Sequence, residues 1–202
     1  FKDYDANTQA ERLITHIENA LSHLNMEYKD IDYLAACTGP GSFTGIRIAL
    51  SAAKGIILGC PKIKPVAITN FQTINFRIRQ QYMHFDHAIS TLDASRGQIY
   101  LQKFTKKEED EPKILSYNEF IYFLNSLKGN IVCAGSGLEK IFNINSAIPQ
   151  DVVVLPRFPY PDARIIAQTS SALILKGKEN SKIDPLYIRE PDAKLPNVKG
   201  SV

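Results

Sequence analysis

The segment Thr38–Gly59, TGPGSFTGIRIALSAAKGIILG, constrains the fold more tightly than any other stretch of the chain. Ahead of it, Tyr33–Cys37 is a short apolar run that ends in turn residues, the pattern of a buried strand. The glycines and proline that follow predict a loop over 38–45, and Ile46–Gly59 reads as a helix. A strand, a glycine loop and a helix in succession can cradle a phosphate, because a helix N-terminus presents unpaired N–H groups. The loop is not a Walker sequence, since no Gly-Lys-Ser/Thr follows at the required spacing. Nor is it a dinucleotide fingerprint: after Gly39 and Gly41 the third glycine, Gly45, comes one residue late. The simpler alternative is a tight strand-to-helix turn that uses glycine for unusual backbone angles.

The helix itself is unusual. Ser51, Gly55 and Gly59 recur every four residues, with Ala49 and Ala53 as a neighbouring small stripe. A glycine inside a helix costs about 1 kcal/mol relative to alanine, so such a stripe serves a close approach of another backbone. That approach is either to the helix's own sheet or to a helix of a second subunit, and spacing alone does not choose.

Elsewhere, helices alternate with strands. Thr8–Leu24 carries Ala10, Leu13, Ile14, Ile17, Leu21 and Leu24 at amphipathic helical intervals, with Asn7 or Thr8 to cap it. Pro65–Thr69 reads as strand and Phe71–Gln81 as helix. Ala88–Leu92 reads as a strand ending at Asp93, Ser95-Arg96-Gly97 as a turn, and Gln98–Phe104 as the return strand of a hairpin. A helix at Asn118–Leu127, a strand at Ile131–Ala134, a glycine turn at Gly135-Ser136-Gly137 and a strand at Val152–Leu155 follow. A helix over Pro161–Leu175 and an extended, proline-rich tail from Asp184 complete the chain. The pattern predicts two α/β lobes with mixed sheets.

Composition excludes several classes. With 44% hydrophobic and 22% charged residues in 202, the chain is an ordinary globular sequence. Its longest apolar stretch, Ile46–Gly59, is interrupted by Arg47, Ser51 and Lys54 and is shorter than the ~20 residues of a membrane span. Cys37, Cys60 and Cys133 are odd in number and set among apolar neighbours, as free thiols of a cytoplasmic protein are. The net charge of +3 is small, and Lys103, Lys106 and Lys107 run straight into Glu108, Glu109, Asp110 and Glu111. That stretch predicts a solvated hairpin or loop rather than a nucleic-acid stripe.

GPGSFTGIR followed by a small-residue helix containing AKG resembles the TsaB (YeaZ-type) family of tRNA threonylcarbamoyladenosine biosynthesis. Three further segments are similar in the same order. They are Gln9-Ala10-Glu11-Arg12-Leu13-Ile14, Asp93-Ala94-Ser95-Arg96-Gly97-Gln98-Ile99-Tyr100 (the family's DAR-x-x-E-V-Y) and Pro185-Leu186-Tyr187-Ile188-Arg189 (its P-x-Y-L-R). There are departures. Gln9 replaces a common histidine, and Ser95 and Gln98 stand where arginine and glutamate are usual. These changes argue against a nucleotide role at those positions. The family's opening strand and hairpin would lie before Phe1, so the natural protein is expected to carry about one more hairpin.

The resemblance implies a two-lobed fold similar to actin, Hsp70 and sugar kinases, with a lobe at 1–88, a lobe at 89–187 and a tail at 188–202. It implies a cytoplasmic, non-catalytic partner of a TsaD-like catalytic subunit, required for threonylcarbamoylation of adenosine 37 in tRNAs reading ANN codons. A TsaE-like ATPase joins the complex, tRNA is met indirectly, and ATP or ADP and a metal belong to the complex, with no cofactor assigned to this subunit. The implied seam uses Leu13, Ile17, Arg47, Leu50, Ser51, Lys54 and Gly55. Gly39, Gly41, Ser42, Thr44 and Gly45 are the candidate phosphate or nucleotide contacts, and homodimerisation of the free subunit stays open.

The residues themselves assemble little chemistry. The four histidines are His16, His23, His84 and His87, and none forms the His-x-x-x-His of the catalytic relative. His84 and His87 lack a third metal ligand. Asp93, at a strand end, is the best placed carboxylate, with hairpin capping as its alternative role. The competing readings are an ATP-hydrolysing or phosphoryl-transfer enzyme of the same superfamily and a metallopeptidase-like protein.

Overall fold

The computed structural model describes residues 9–144, 148–149, 151–155 and 162–189. Amphipathic periodicity produces α1 (Gln9–His23), which is followed by a 3-10 turn at Tyr28–Asp30. Strand β1 (Tyr33–Gly39) leads into α2 (Phe43–Gly59), and β2 (Lys64–Thr69) into α3 (Asn70–Gln81). The helix α2 starts three residues before the expected Ile46, because Ser42 caps it: the Ser42 hydroxyl accepts from the Gly45 N–H at 3.3 Å. In α3 the cap is reciprocal. Thr69 Oγ1 accepts from Gln72 N at 3.1 Å and Gln72 Oε1 from Thr69 N at 3.0 Å.

β1 and β2 form a parallel pair, Tyr33 opposite Lys64 through Cys37 opposite Ile68, with a register shift before Gly39 meets Thr69. The second sheet has five strands: β3 (His87–Asp93), β4 (Gln98–Phe104), β5 (Lys113–Ser116), β6 (Ile131–Ala134) and β7 (Val152–Val154). Their order is β5-β4-β3-β6-β7, with β3-β4-β5 antiparallel and β3-β6-β7 parallel, so this sheet is mixed. Three more helices are present among the described residues: α4 (Tyr117–Ser126), α5 (Ser136–Ile144) and α6 (Ala163–Ile174). The expected α/β class with two lobes is therefore what the structure shows.

Alternation along β3 sorts the core. Ala88 and Leu92 face α3, where they pack with Phe71, Ile74, Ile78 and Phe104. Ile89 faces the opposite way, with Ile99 and Leu101 of β4, Phe120 and Leu124 of α4, and Leu138 and Ile141 of α5. The buried hydroxyls between them are satisfied, Ser90 donating to the Phe71 carbonyl and Thr91 to that of Ala134, each at 3.0 Å. The third cluster, Ala36, Leu50, Ala53, Ala67 and Ile183, lies beneath α2. α3 touches both sheets and is the fixed joint between the lobes. α6 and the segment after it, which the division at 88/89 assigns to the second lobe, return to pack on β1 and β2.

Besides the earlier start of α2, two further elements differ from the sequence expectation. The glycine turn at 135–137 is one residue of turn and the start of a helix. Gly135 has φ +118 and a Cβ there would collide with the Thr91 carbonyl, while Ser136 and Gly137 already belong to α5. The short edge strand β5 was not expected; none of its residues is fully buried, so it carries little apolar signal. Asn7, Thr8, Pro161 and residues 190–202 of the expected tail lie outside the described residues. Among the described residues no helix is long and apolar enough to cross a membrane.

Candidate partner face and interlobal cleft

The small stripe of α2 faces outward. A Cβ built on Gly55 or Gly59 meets no heavy atom within 4 Å, and Ser51 is exposed beside them. The side of α2 that packs on the sheet is a different one, carried by Leu50 at 3% and Ala53 at 4% exposure. Between α2 and α1 runs a groove of about 300 Å³ lined by Ile14, Tyr28, Ala52, Gly55, Ile56, Gly59 and Cys60. Leu13 and Ile17 are half-buried on α1, and Leu58 stands 83% exposed at the far end of α2. Burial, with Glu18 and Cys60 close by, pushes the Tyr28 phenol up, so it stays protonated.

The seven seam residues expected from sequence thus separate into three groups. Ser51 and Gly55 lie on the open face, with Leu13 and Ile17 on the neighbouring helix. Leu50 is a core residue, which removes it from an exposed seam. Arg47 and Lys54 are engaged within the chain. Arg47 Nε donates to the Tyr187 hydroxyl at 3.0 Å with its guanidinium 3.7 Å from the Phe43 ring centre, and Lys54 Nζ meets Asp184 Oδ1 at 2.9 Å. Tyr187 and Asp184 went unrecognised in the sequence because nothing local marks a contact made 130 to 140 residues away.

The glycine loop forms one wall of a second feature, a cleft of about 550 Å³ between the lobes. Pro40, Gly41, Ser42 and Asn70 line it from the first lobe, and Leu92, Asp93, Ala94, Ser95, Tyr100 and Ser136 from the second. Gly39 sits behind the wall at φ +107, where a Cβ would press on Ile46 Cδ1 at 2.8 Å, and Thr44 and Gly45 lie in the first turn of α2. The loop is tied down by Asn70, whose amide donates to the Pro40 carbonyl at 2.7 Å and whose oxygen accepts from the Cys37 thiol at 3.0 Å. Burial raises the Cys37 pKa, so the thiol keeps the proton that makes this bond.

Asp93 caps the hairpin turn: its Oδ1 accepts from Ser95 N at 2.9 Å, ahead of Ser95, Arg96 and Gly97, all at positive φ. Its own N–H donates to the Ser136 hydroxyl at 3.2 Å. Gln98, where the family usually has glutamate, accepts from Arg189 Nη2 at 2.7 Å. The histidines are dispersed. His23 Nδ1 donates to the Asn19 carbonyl, His87 Nε2 to that of Lys128, and His84 is exposed. Among the described residues no three His, Cys, Asp or Glu side chains are grouped to hold a metal ion.

A family model described as "TsaD: tRNA N6-adenosine threonylcarbamoyltransferase" matches residues 6–133. The chain belongs to that family. Within it the chain stands with the TsaB (YeaZ-type) proteins. It is 25% identical over 161 residues to the tRNA threonylcarbamoyladenosine biosynthesis protein TsaB of Buchnera aphidicola subsp. Schizaphis graminum, covering 77% of this chain and 74% of the relative. To the TsaB of Escherichia coli it is 24% identical over 133 residues, covering 63% and 57%. The solved structure of YeaZ from Pseudomonas aeruginosa shares the fold, with a TM-score of 0.68 at 18% identity over 89% of this chain and 84% of that one.

Proposed function

We propose that the chain is a non-catalytic subunit of the machinery that places threonylcarbamoyl on adenosine 37 of tRNAs reading ANN codons. In this reading it acts in the cytoplasm and binds a TsaD-type catalytic subunit through the exposed face of α1 and α2. The observation that carries the proposal is the open stripe Ser51, Gly55 and Gly59 beside an apolar groove. Helical glycine is unfavourable unless something approaches it closely, and nothing within the described chain does. A facing helix from the partner would lie on the stripe, with Leu13 and Ile17 as its apolar flank. A TsaE-type ATPase completes the assembly, and tRNA is reached through the complex.

The cleft supports a structural role in this chain. Asp93, the carboxylate best placed for chemistry, is committed to a turn N–H, and the Ser42 hydroxyl to the cap of α2. The test is reconstitution with catalytic subunit, ATPase, threonylcarbamoyl donor, ATP and tRNA, leaving out one protein at a time. Modified tRNA is expected only when this chain and the catalytic subunit are both present. Undiminished product without this chain would overturn the proposal. So would steady ATP turnover by the pure chain that disappears in Asp93→Ala, which would establish the phosphoryl-transfer reading.

A further inference from the structure

We propose that Asn180–Arg189 is a strap that fixes how far the interlobal cleft opens, gripping the first lobe firmly and the second through a release point at Arg189. The inference stands on intramolecular contacts alone and holds whichever partner the α1–α2 face accepts.

The grip on the first lobe is continuous. The Asn180 carbonyl accepts from Ala67 N at 2.7 Å, as an antiparallel bridge on the free side of β2. Ile183, 7% exposed, inserts beneath α2 beside Leu50 and Ala53. Asp184 pairs with Lys54, and Leu186 N donates to the Thr38 carbonyl at 2.8 Å, where β1 gives way to the glycine loop. Tyr187 then meets Arg47.

Within three residues of Leu186 the chain reaches the other lobe. Arg189 Nη2 donates to the Ala94 carbonyl at 2.8 Å and to Gln98 Oε1 at 2.7 Å, and its guanidinium lies 5.9 Å from the Tyr100 ring centre. Ala94 and Tyr100 line the cleft, and Thr38 adjoins the loop that forms its opposite wall. Leu186 and Ile188 add contact with the core around Phe71 and Leu92. Among the described residues the lobes are therefore held at two places, the buried joint of α3 and this strap. α3 is fixed by Phe71, Ile74 and Ile78, all deeply buried in the shared core, whereas the strap's polar hold on the second lobe is one guanidinium. Packed joints open only with the fold, while a single partly exposed polar anchor opens locally.

Hydrogen exchange of the full chain, read by mass spectrometry, tests this in the wild type and in Arg189→Ala. Release of the strap is expected to speed exchange at least about tenfold, the scale of losing a hydrogen bond to a charged group. It should do so in both walls, in the 94–98 turn and in the Thr38, Gly39, Gly41 and Ser42 amides, with β3 and β6 unchanged. Faster exchange confined to 94–98 would make Arg189 a local clip and overturn the proposal. A parallel rise in β3 and β6 would also overturn it, by making Arg189 a support of the whole fold. If Arg189→Ala fails to fold, Gln98→Ala removes one acceptor and leaves Ala94 in place. The same two-walled pattern, at smaller amplitude, is then expected.

Discussion

Asn70 holds Pro40: the side-chain amide at the head of α3 donates to the Pro40 carbonyl at 2.7 Å, pinning the bend between β1 and α2. Asn70→Ala leaves the carbonyl of buried Pro40 and the Cys37 thiol without these partners. A buried acceptor left unpaired costs about 1–3 kcal/mol. Urea unfolding should show that loss with an unchanged slope. A loss under about 0.5 kcal/mol, the range of ordinary surface substitutions, would mean the loop is held by something else.

Acid titration separates two exposed carboxylates. Glu119 accepts from both the N–H and the hydroxyl of Ser116 at 2.7 Å, which favours its charged form and lowers its pKa. Asp184 is lowered by its hydrogen bond and ion pair with Lys54. A depressed folded-state pKa gives stability that is complete above the unfolded value, about 4 for these groups, and lost as pH falls through the folded value. Glu119→Gln and Asp184→Asn should therefore each fall below wild type in chemical denaturation at neutral pH, with the gap closing in acid. Added salt should shrink the Asp184 gap more than the Glu119 gap, because only the former rests on an exposed ion pair. Equal salt response would contradict this assignment.

The cysteines should differ in reactivity. Cys133 is buried among apolar side chains, which pushes its pKa well up, and the Cys37 thiol is raised by burial and bonded to Asn70. Cys60 lines the groove beside Gly55 and Gly59. A bulky maleimide applied briefly near neutral pH should mark Cys60 first, as read by peptide mass, and the labelled chain should lose the catalytic subunit. First labelling at Cys37 would mean the loop opens more easily than its hydrogen bonds imply.

Local rules carried the fold further than the site. The strand-loop-helix order of 33–59 and the hairpin around Ser95-Arg96-Gly97 follow from periodicity and glycine placement, and both are present. The start of α2 was misplaced because the Ser42 cap lets helix geometry begin inside a stretch that reads as loop. α5 was missed because one turn glycine, Gly135, precedes a helical one, Gly137, and composition does not tell them apart. At the site, the small stripe was visible as spacing, but which way it faces depended on Leu50 and Ala53 taking the inward side. The engagement of Arg47 and Lys54 by Tyr187 and Asp184 had no sequence signal, since the partners meet only once α6 has returned the chain to the first lobe.

The central claim is that the open stripe of α2 is the partner seam, and calorimetric titration of a TsaD-type catalytic subunit with wild type and Gly55→Leu tests it most directly. The Gly55 Cβ position is empty, so the variant should fold, with thermal stability equal to or above wild type because leucine favours helix. In the complex the added side chain would occupy the space of the facing backbone. Overpacking of about 1–3 kcal/mol corresponds to roughly five- to over a hundredfold weaker binding. A folded variant with that loss is the predicted result, and a folded variant that binds as tightly as wild type would contradict the account.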